Sequence, residues 1–373
     1  MVLKIRTRNQ LETTVRAGVL EHGTVDLLTE TGLGERVERE GAVHHGIELR
    51  FGGRGYRIDL NELTGGCSIT VYGQQEVVKD LIHARLDAGG QLIFEVEKVS
   101  VHDLDTQTPK IRFSKNGEEE EISCDYIAGC DGFFGACRPS IPKGVLTEYA
   151  RTYPFGWFGI LVEGPPSTEE LIYTFHDRGF TLVSTRSPGV QRLYFQCDLD
   201  EDVANWPDDR VWEELKTRLA TEERDWTLSE GKIFQKNIVQ MRSFVVEPMQ
   251  YGKLFLAGDA AHILPPTGAK GMNLAITDIS VLARAFNEVY SSGQTGPLDA
   301  YSETCLGRVW NAQRFSWWTT FMLHRFEADD PLQYRLQLAE LDYVTGSRTA
   351  AASLAENYVG LPMEPAPNFS VAS

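Results

Sequence analysis

The stretch LFLAGDAAHILPPTGAKGMNLA, residues 254–275, decides the fold of this chain. An apolar run, Leu254 to Ala257, leads into Gly258-Asp259, a Pro-Pro pair and a glycine-rich turn. The turn opens a segment whose apolar residues recur at helical spacing. A glycine turn at a helix N-terminus lets backbone N–H groups approach an electron-rich ligand, and Asp259 can accept hydrogen bonds from sugar hydroxyls. The stretch predicts a strand–turn–helix unit that can bind an electron-rich ligand, although a lone Gly-Asp pair is more often an ordinary corner.

Composition sets the broad class of the protein. With 373 residues and 42% hydrophobic residues, the chain is globular and large enough for two or more domains. Its net charge of −17 argues against nucleic acid or an anionic membrane as a partner. No membrane-spanning run or signal peptide is visible, and the spacing of the six cysteines fits no zinc site. We expect free thiols, a cytoplasmic location and no metal, and an anionic substrate would require local arginines.

Residues 171–197 predict a carboxylate site without reference to any family. The runs LIYTFH, FTLVSTR and QRLYFQC look like three strands, the last two joined by the turn SPGV. In such a hairpin Arg186 would oppose Arg192, and Ser184 would oppose Tyr194. Side chains two apart share a face, so all four would form a site for a planar carboxylate. On pattern alone, a solvated polar face is the commoner outcome.

Several further segments resemble the class A flavoprotein aromatic hydroxylases, in the same order along the chain, from about Val2 to Pro362. They are RAGVLEHG (16–23), VYGQQEV (71–77), CDYIAGCDGF (124–133), YPFGW (153–157), RSFVVEPM (242–249), RFSWW (314–318) and AENYVGLP (355–362). The resemblance implies hydroxylation of 4-hydroxybenzoate to 3,4-dihydroxybenzoate by FAD, with NADPH or NADH and O2, through a flavin C4a-hydroperoxide. A homodimer is also implied.

The same resemblance implies an α/β fold. It consists of a parallel FAD-binding sheet that lacks its first βα unit, an antiparallel substrate sheet and a helical C-terminal region. The expected divisions are a truncated FAD-binding domain (1–147), the substrate sheet (148–249), a return to the FAD-binding domain (250–290) and a helical interface region (291–373).

The start of the chain departs from the family pattern. Family members begin with a strand and a G-x-G-x-x-G turn, whereas MVLKIRTRNQ looks like their second strand. Lys4 stands where Asp or Glu usually holds the ribose, and Thr14 replaces a frequent arginine. A misassigned start codon, a truncated remnant or a loss of cofactor binding would each explain this; a transit peptide fits less well, because such peptides are serine-rich. A missing central strand would expose sheet edges and favour aggregation.

The resemblance assigns roles at the substrate. Ser184, Arg186 and Tyr194 would hold the carboxylate, with Arg186 as the main anchor. Tyr173 and Tyr358 would relay the proton of the substrate hydroxyl toward His44 and solvent, although an isolated buried tyrosine is usually a core residue. Such a relay is useful because a phenolate ring is far more nucleophilic than a phenol ring.

The resemblance also assigns roles at the cofactors. Pro266 would contribute its carbonyl to the wall between flavin and substrate, and Arg192 would help to move the flavin. Arg242 and Asp131 would contact the nicotinamide nucleotide, but Phe134 replaces a frequent histidine, so the choice between NADPH and NADH stays open. The residues expected to bind FAD are Arg16, Gln74, Asp131, Arg192, Asp259, Thr267, Lys270, Asn273 and Leu274.

Three functions remain open at this point. The first is a working hydroxylase, which the complete set of substrate residues favours. The second is a non-catalytic remnant that binds little FAD. The third is a related flavoenzyme that acts on another aromatic acid.

Overall fold

The computed structural model describes residues 1–15, 18–222, 226–326 and 330–362. Within them lie nineteen strands and eleven helices. The strands are β1 (Val2–Lys4), β2 (Val19–Leu20), β3 (Ala42–His44), β4 (Gly46–Phe51), β5 (Arg54–Asp59), β6 (Ile69–Val71), β7 (Leu92–Phe94), β8 (Glu97–His102), β9 (Lys110–Lys115), β10 (Glu118–Ser123), β11 (Ile127–Gly129), β12 (Thr147–Glu163), β13 (Leu171–Thr174), β14 (Thr181–Ser187), β15 (Val190–Cys197), β16 (Lys232–Glu247), β17 (Gln250–Tyr251), β18 (Leu254–Leu256) and β19 (His262–Ile263). The helices are α1 (Arg8–Thr13), α2 (His22–Glu30), α3 (Gly34–Glu40), α4 (Leu60–Thr64), α5 (Gln74–Asp87), α6 (Asp208–Leu219), α7 (Gly271–Ser292), α8 (Gly296–Asp299), α9 (Tyr301–Leu323), α10 (Pro331–Gly346) and α11 (Arg348–Val359).

An eight-stranded sheet carries the predicted substrate strands. Its order is β19-β16-β12-β15-β14-β13-β4-β5, and every neighbouring pair is antiparallel except β13 and β4. The sheet extends beyond the predicted 148–249 segment, because β4, β5 and β19 join it. All four residues of β13 are buried, so the backbone groups along both of its edges need strand partners, and β4 supplies one of them.

The predicted hairpin forms, but its predicted register is wrong by two residues. Ser184 pairs with Arg192, and Leu182 pairs with Tyr194. The reason is a two-residue turn combined with a bulge that leaves Arg186 without a paired residue. Because side chains alternate with a period of two, this shift keeps the face of Ser184, Arg192 and Tyr194 unchanged.

Outside the large sheet, parallel pairing occurs in two short sheets. β1 pairs in parallel with β7, and β11 pairs in parallel with β18, which also pairs with β17. Two further small sheets, β2-β6-β3 and β8-β9-β10, are antiparallel. The carboxyl ends of β11 and β18 therefore lie side by side, as expected of a cofactor-binding α/β unit.

The C-terminal helices cover the large sheet. Helices α9, α10 and α11 share an apolar core with strands β4, β12 and β13, which confirms the predicted helical region. All six cysteines are free thiols, as predicted. In the described part of the chain, no helix is both long and apolar enough to cross a membrane.

The strand–turn–helix unit of residues 254–275 also forms as predicted. Strand β18 ends at Leu256, and α7 begins at Gly271. Gly258 has a φ of +60°, and a Cβ at this position would lie 3.0 Å from the Ala275 Cβ. A glycine is therefore required at this corner, because other residues rarely adopt that backbone conformation and α7 leaves little room for a side chain.

Candidate active site

The hairpin of β14 and β15 brings Arg186 and Ser184 together. The Arg186 Nη1 donates to the Ser184 Oγ (3.1 Å) and to the Thr185 carbonyl (3.2 Å), while the Ser184 hydroxyl donates to the Arg192 carbonyl (2.9 Å). The Nε of Arg186 has no partner. Burial lowers the pKa of the Arg186 guanidinium, and the neighbouring Tyr194 and Tyr173 act in the opposite direction. Arg186 thus lies close to Tyr194 of the predicted carboxylate site and to Tyr173 of the predicted proton relay.

A second guanidinium lies on the same face of the hairpin. Arg192 is 5% exposed, and its Nη2 donates to the Asn237 Oδ1 at 3.3 Å. Its guanidinium carbon lies 4.9 Å from the centre of the Tyr194 ring, and its Nε and Nη1 have no partner. Among the described residues, no carboxylate forms a salt bridge with Arg186 or Arg192. An uncompensated buried charge is costly, so this pair favours an anionic ligand.

Tyr194 is held by two residues that the sequence reasoning missed. Gly159 pairs with Tyr194 across the sheet, and a Cβ on Gly159 would lie 2.8 Å from the tyrosine ring. The Trp157 ring lies 4.9 Å from the Tyr194 ring. A glycine inside an apolar strand marks a close approach, so the run WFGILV contained a usable signal.

The two predicted relay tyrosines meet. The hydroxyls of Tyr173 and Tyr358 lie 2.5 Å apart, and both side chains are buried. Burial raises the pKa of Tyr173 to about 12, and burial also raises the pKa of Tyr358 well above its ordinary value. The pair stays neutral near neutral pH, so it can transfer a proton but does not supply a charge.

His44, the predicted end of the proton relay, is buried but forms no hydrogen bond among the described residues. It is 2% exposed at the end of β3, and neither ring nitrogen has a partner, so no direct hydrogen bond joins it to either tyrosine within the described residues. Burial lowers the pKa of His44 to about 4. The ring is neutral near neutral pH and has an acceptor available.

Two hydrogen bonds, one within the turn and one to α9, hold the turn before α7. The Pro266 carbonyl accepts from the Ala269 N–H (3.0 Å), and the Thr267 hydroxyl accepts from the Thr320 hydroxyl (2.9 Å). Thr267 also lines a small apolar cavity together with Tyr173 and Tyr358. The turn therefore lies directly beside the tyrosine pair.

Lys270 is buried in an ion pair that the sequence did not reveal. Its Nζ donates to the Glu21 Oε1 (2.6 Å) and to the Tyr358 carbonyl (3.1 Å). Arg308 also pairs with Glu21 (3.2 Å). Burial lowers the pKa of Lys270, while Glu21 acts in the opposite direction. The ammonium is thus already bonded, and its effect on a flavin would be electrostatic.

Asn273 ties α7 to β2. Its Oδ1 accepts from the Glu21 N–H (3.0 Å) and the Thr24 hydroxyl (2.9 Å), and its Nδ2 donates to the carbonyls of Val19 (3.1 Å) and Ala269 (3.0 Å). Leu274 is a buried core residue. Since these side chains are occupied, what remains for a ligand is the backbone at the start of α7, where no side chain caps the helix.

The remaining predicted cofactor residues lie at the ends of β11 and β18, at the start of α5 and on β16. Asp131 and Asp259 follow the parallel strands β11 and β18, and both are exposed. Asp131 accepts from the Cys137 N–H at 2.9 Å. Gln74 is the first residue of α5, and Arg242 lies 5.1 Å from the Phe133 ring. Arg16 lies outside the described residues.

The start of α7 and the carboxylates of Asp131 and Asp259 fit FAD. The uncapped N-terminus of a 22-residue helix offers backbone N–H donors and a favourable dipole to the electron-rich part of a reduced flavin. The carboxylates of Asp131 and Asp259 offer acceptors at the carboxyl ends of two adjacent parallel strands, where α/β folds bind such cofactors.

Comparisons with known proteins agree with this geometry. Residues 2–316 match the FAD-binding domain family. The chain is 48% identical over 364 residues to a p-hydroxybenzoate hydroxylase of Acinetobacter baylyi, covering 98% of this chain and 90% of that relative.

Solved structures share the fold. The p-nitrophenol 4-monooxygenase PnpA of Pseudomonas putida superposes with a TM-score of 0.80 at 20% identity, covering 97% of this chain and 92% of that one. A ternary complex of aklavinone-11 hydroxylase with FAD and aklavinone gives 0.68 at 21% identity, covering 87% and 66%. The chain belongs to the FAD-binding domain family, as one of its class A flavoprotein aromatic hydroxylases.

Proposed function

We propose that this protein hydroxylates 4-hydroxybenzoate at carbon 3 to give 3,4-dihydroxybenzoate, with FAD as cofactor and with NADPH or NADH and O2 as co-substrates. The observation that carries the proposal is a pair of guanidiniums without a carboxylate partner among the described residues, that of buried Arg192 and that of half-buried Arg186, whose Nε is shielded from solvent. The named activity of the relative that is 48% identical supports the same substrate.

The substrate carboxylate would bind at the hairpin. Arg186 would be its main anchor, because a guanidinium can donate two parallel hydrogen bonds to a carboxylate. Ser184 already contacts the Arg186 Nη1 and holds it in place. Tyr194 would complete the pocket, and Arg192 would add positive charge without a direct ion pair.

The phenol end of the substrate would meet Tyr173. A proton leaving the 4-hydroxyl passes to the Tyr173 oxygen as the proton of Tyr173 passes to Tyr358 and the proton of Tyr358 leaves toward His44, so neither tyrosine becomes charged. His44, whose neutral ring has an unpartnered acceptor, would receive that proton through water and release it to solvent, because its lowered pKa prevents it from holding the charge near neutral pH. The resulting phenolate activates the ring carbon beside the oxygen.

Bound FAD, once reduced by the nicotinamide nucleotide, supplies the electrophilic oxygen atom from O2. The residues that would hold it are Arg16, Gln74, Asp131, Arg192, Asp259, Thr267, Lys270, Asn273 and Leu274, while Asp131 and Arg242 would contact the nucleotide. Pro266 and Thr267 would separate the flavin from the substrate. Their turn packs against α9, which helps to exclude water from the reacting atoms.

We further propose a cytoplasmic homodimer with the four divisions expected from the sequence. Five large apolar side chains on α9 and α10 are exposed in the single chain and would be covered by a second copy. They are Trp310, Trp317, Leu332, Leu336 and Tyr343.

Product analysis tests the proposal. The purified protein is incubated with FAD, 4-hydroxybenzoate, NADPH or NADH, and 18O-labelled O2, and the products are analysed by chromatography and mass spectrometry. The expected result is 3,4-dihydroxybenzoate that carries one labelled oxygen. Oxidation of the nucleotide without hydroxylated product, or no oxidation, would contradict the proposal.

A further inference from the structure

His324 is a titratable residue that the proposed reaction does not use. It is fully buried directly after α9, and its ring stacks between the Phe155 ring (4.7 Å) and the Phe180 ring (4.4 Å). It also lies nearly parallel to the Trp157 ring, with 5.8 Å between the ring centres and 6° between the planes. The aromatic stack fixes the plane of the imidazole.

The hydrogen bonds of His324 determine its tautomer. Its Nδ1 lies 2.9 Å from the Thr320 carbonyl, which can only accept, so Nδ1 carries the proton. Its Nε2 is therefore a lone-pair acceptor, and the Trp157 Nε1–H donates to it at 2.7 Å. Burial lowers the pKa of His324 to about 3, which keeps this acceptor available at neutral pH.

Trp157 transmits this fixed position to the carboxylate pocket. Its ring lies 4.9 Å from the Tyr194 ring and 4.9 Å from the Phe180 ring. Tyr194 is confined on other sides by Gly159 and by the Arg192 guanidinium. A tilt of the indole would therefore press on the half-buried Tyr194 ring and displace it toward the carboxylate pocket, because the other contacts of the ring are fixed.

The position of His324 is itself fixed from α10. The Gln337 Nε2, buried on α10, donates to the carbonyls of Phe321 (2.7 Å) and His324 (2.6 Å). These bonds satisfy carbonyls at the end of α9 that have no partner within the helix. The end of α9 is thus held rigidly beneath the substrate sheet.

We propose that His324 is a positioning residue for substrate recognition: its Nε2 holds the Trp157 indole, and the indole holds Tyr194 in the orientation that receives the carboxylate. The inference rests on the proposed function, because it takes the hairpin face as the carboxylate site. It assigns to the end of α9 an influence on substrate affinity without contact with the substrate.

The test measures the dissociation constant of 4-hydroxybenzoate in the FAD-bound protein for His324→Phe, Trp157→Phe and the double variant. Each single variant should raise the constant by about tenfold, since His324→Phe leaves a buried donor unpaired and Trp157→Phe removes the packing surface. The dissociation constant of the double variant should be no higher than that of the more affected single variant, because both changes break the same connection between His324 and Trp157. His324→Gln, whose amide can accept from the indole and donate to Thr320, should recover most of the affinity.

Controls separate positioning from general damage. Trp318→Phe removes another indole of α9, which donates to Glu340, and should leave the dissociation constant within about twofold. The turnover rate at saturating substrate should change far less than the affinity in every variant. Unchanged affinity in His324→Phe and Trp157→Phe, or fully additive losses in the double variant, would overturn the inference. Failure of the unaltered holoprotein to bind 4-hydroxybenzoate would instead overturn the proposed function and the positioning role with it.

Discussion

The two ends of the substrate pocket differ in what the protein leaves unfinished. At the carboxylate end, Arg192 is buried and Arg186 is half-buried, and shielded nitrogen atoms of both guanidiniums have no partner. At the phenol end, Tyr173 and Tyr358 satisfy each other at 2.5 Å and remain neutral. One end has an excess of donors and positive charge, whereas the other is complete without a ligand.

The difference indicates a division of work. A ligand that supplies a carboxylate relieves an existing electrostatic cost, so the carboxylate end should dominate affinity. The phenol end gains no ion pair on binding, so its contribution should appear in the rate of the chemical step. Changes at one end should therefore affect binding, and changes at the other should affect turnover.

Arg186→Lys should have the largest effect. A lysine cannot form the bidentate pair, and its shorter ammonium leaves the carboxylate incompletely bonded. We expect a loss of about 2–4 kcal/mol in binding free energy, or roughly 30- to 700-fold in the dissociation constant of 4-hydroxybenzoate. Flavin absorbance titration measures it. Arg57→Lys, a surface variant of the same sheet, is the control, and near-normal affinity in Arg186→Lys would refute the anchor role.

Acid should destabilise both ends through their buried histidines. The folded pKa values of His44, about 4, and His324, about 3, lie below the ordinary histidine value. The unfolded chain therefore binds more protons, and stability that is complete above pH 6.5 is lost as the pH falls toward 4. Protonation of the unfolded chain at each histidine should lower the free energy of unfolding by up to about 3 kcal/mol at pH 4.

Urea unfolding at several pH values measures this effect. His324→Gln and His44→Gln should each flatten the dependence between pH 4 and 6.5, and His83→Gln serves as a control outside both ends. Parallel curves for all three variants and the unaltered protein would show that neither buried ring determines the acid sensitivity.

Tyr358→Phe should separate rate from affinity. Removal of its hydroxyl interrupts the proton path but leaves the guanidiniums untouched, so we expect turnover to fall about 10- to 100-fold with a dissociation constant within about threefold. Higher pH should restore part of the rate, because the substrate phenol then ionises without the relay. Tyr290→Phe, at an exposed site near the end of α7, is the control for stopped-flow and steady-state measurements. An equal loss in affinity and rate would argue against the division of work.

Gly159→Ala should produce the smallest effect. Its Cβ would lie 2.8 Å from the Tyr194 ring, so the ring must move and the carboxylate pocket must adjust. We expect a loss of about 1 kcal/mol, or roughly fivefold in affinity, with turnover little changed. Gly164→Ala is the matched control, since its nearest contact would be 3.6 Å. An equal response of the two variants would mean that Tyr194 tolerates displacement.

Much of the fold was predictable from the sequence. Helical spacing and a glycine corner predicted β18, the Gly258 turn and α7, because these are local signals. The face of the hairpin was correct although its register was wrong. The bulge at Arg186 has no reliable local signature, yet a shift of two residues preserves the side-chain alternation.

The contacts that complete the site were not predictable. Glu21 and Lys270 are 249 positions apart, and His324 and Trp157 are 167 apart. No spacing rule connects residues at such distances, since tertiary packing alone brings them together. Family resemblance named Lys270 and Asn273, but only the structure shows that their side chains are bonded within the protein.

The most direct test of the account compares two ligands that differ only at the carboxylate. The FAD-loaded protein, freed of excess flavin by gel filtration, is titrated with 4-hydroxybenzoate and with 4-hydroxybenzamide while the flavin absorbance is followed. We expect saturable binding of the acid and at least about 100-fold weaker binding of the neutral amide, because only the acid compensates Arg186 and Arg192. Equal affinity for the two ligands would contradict this expectation.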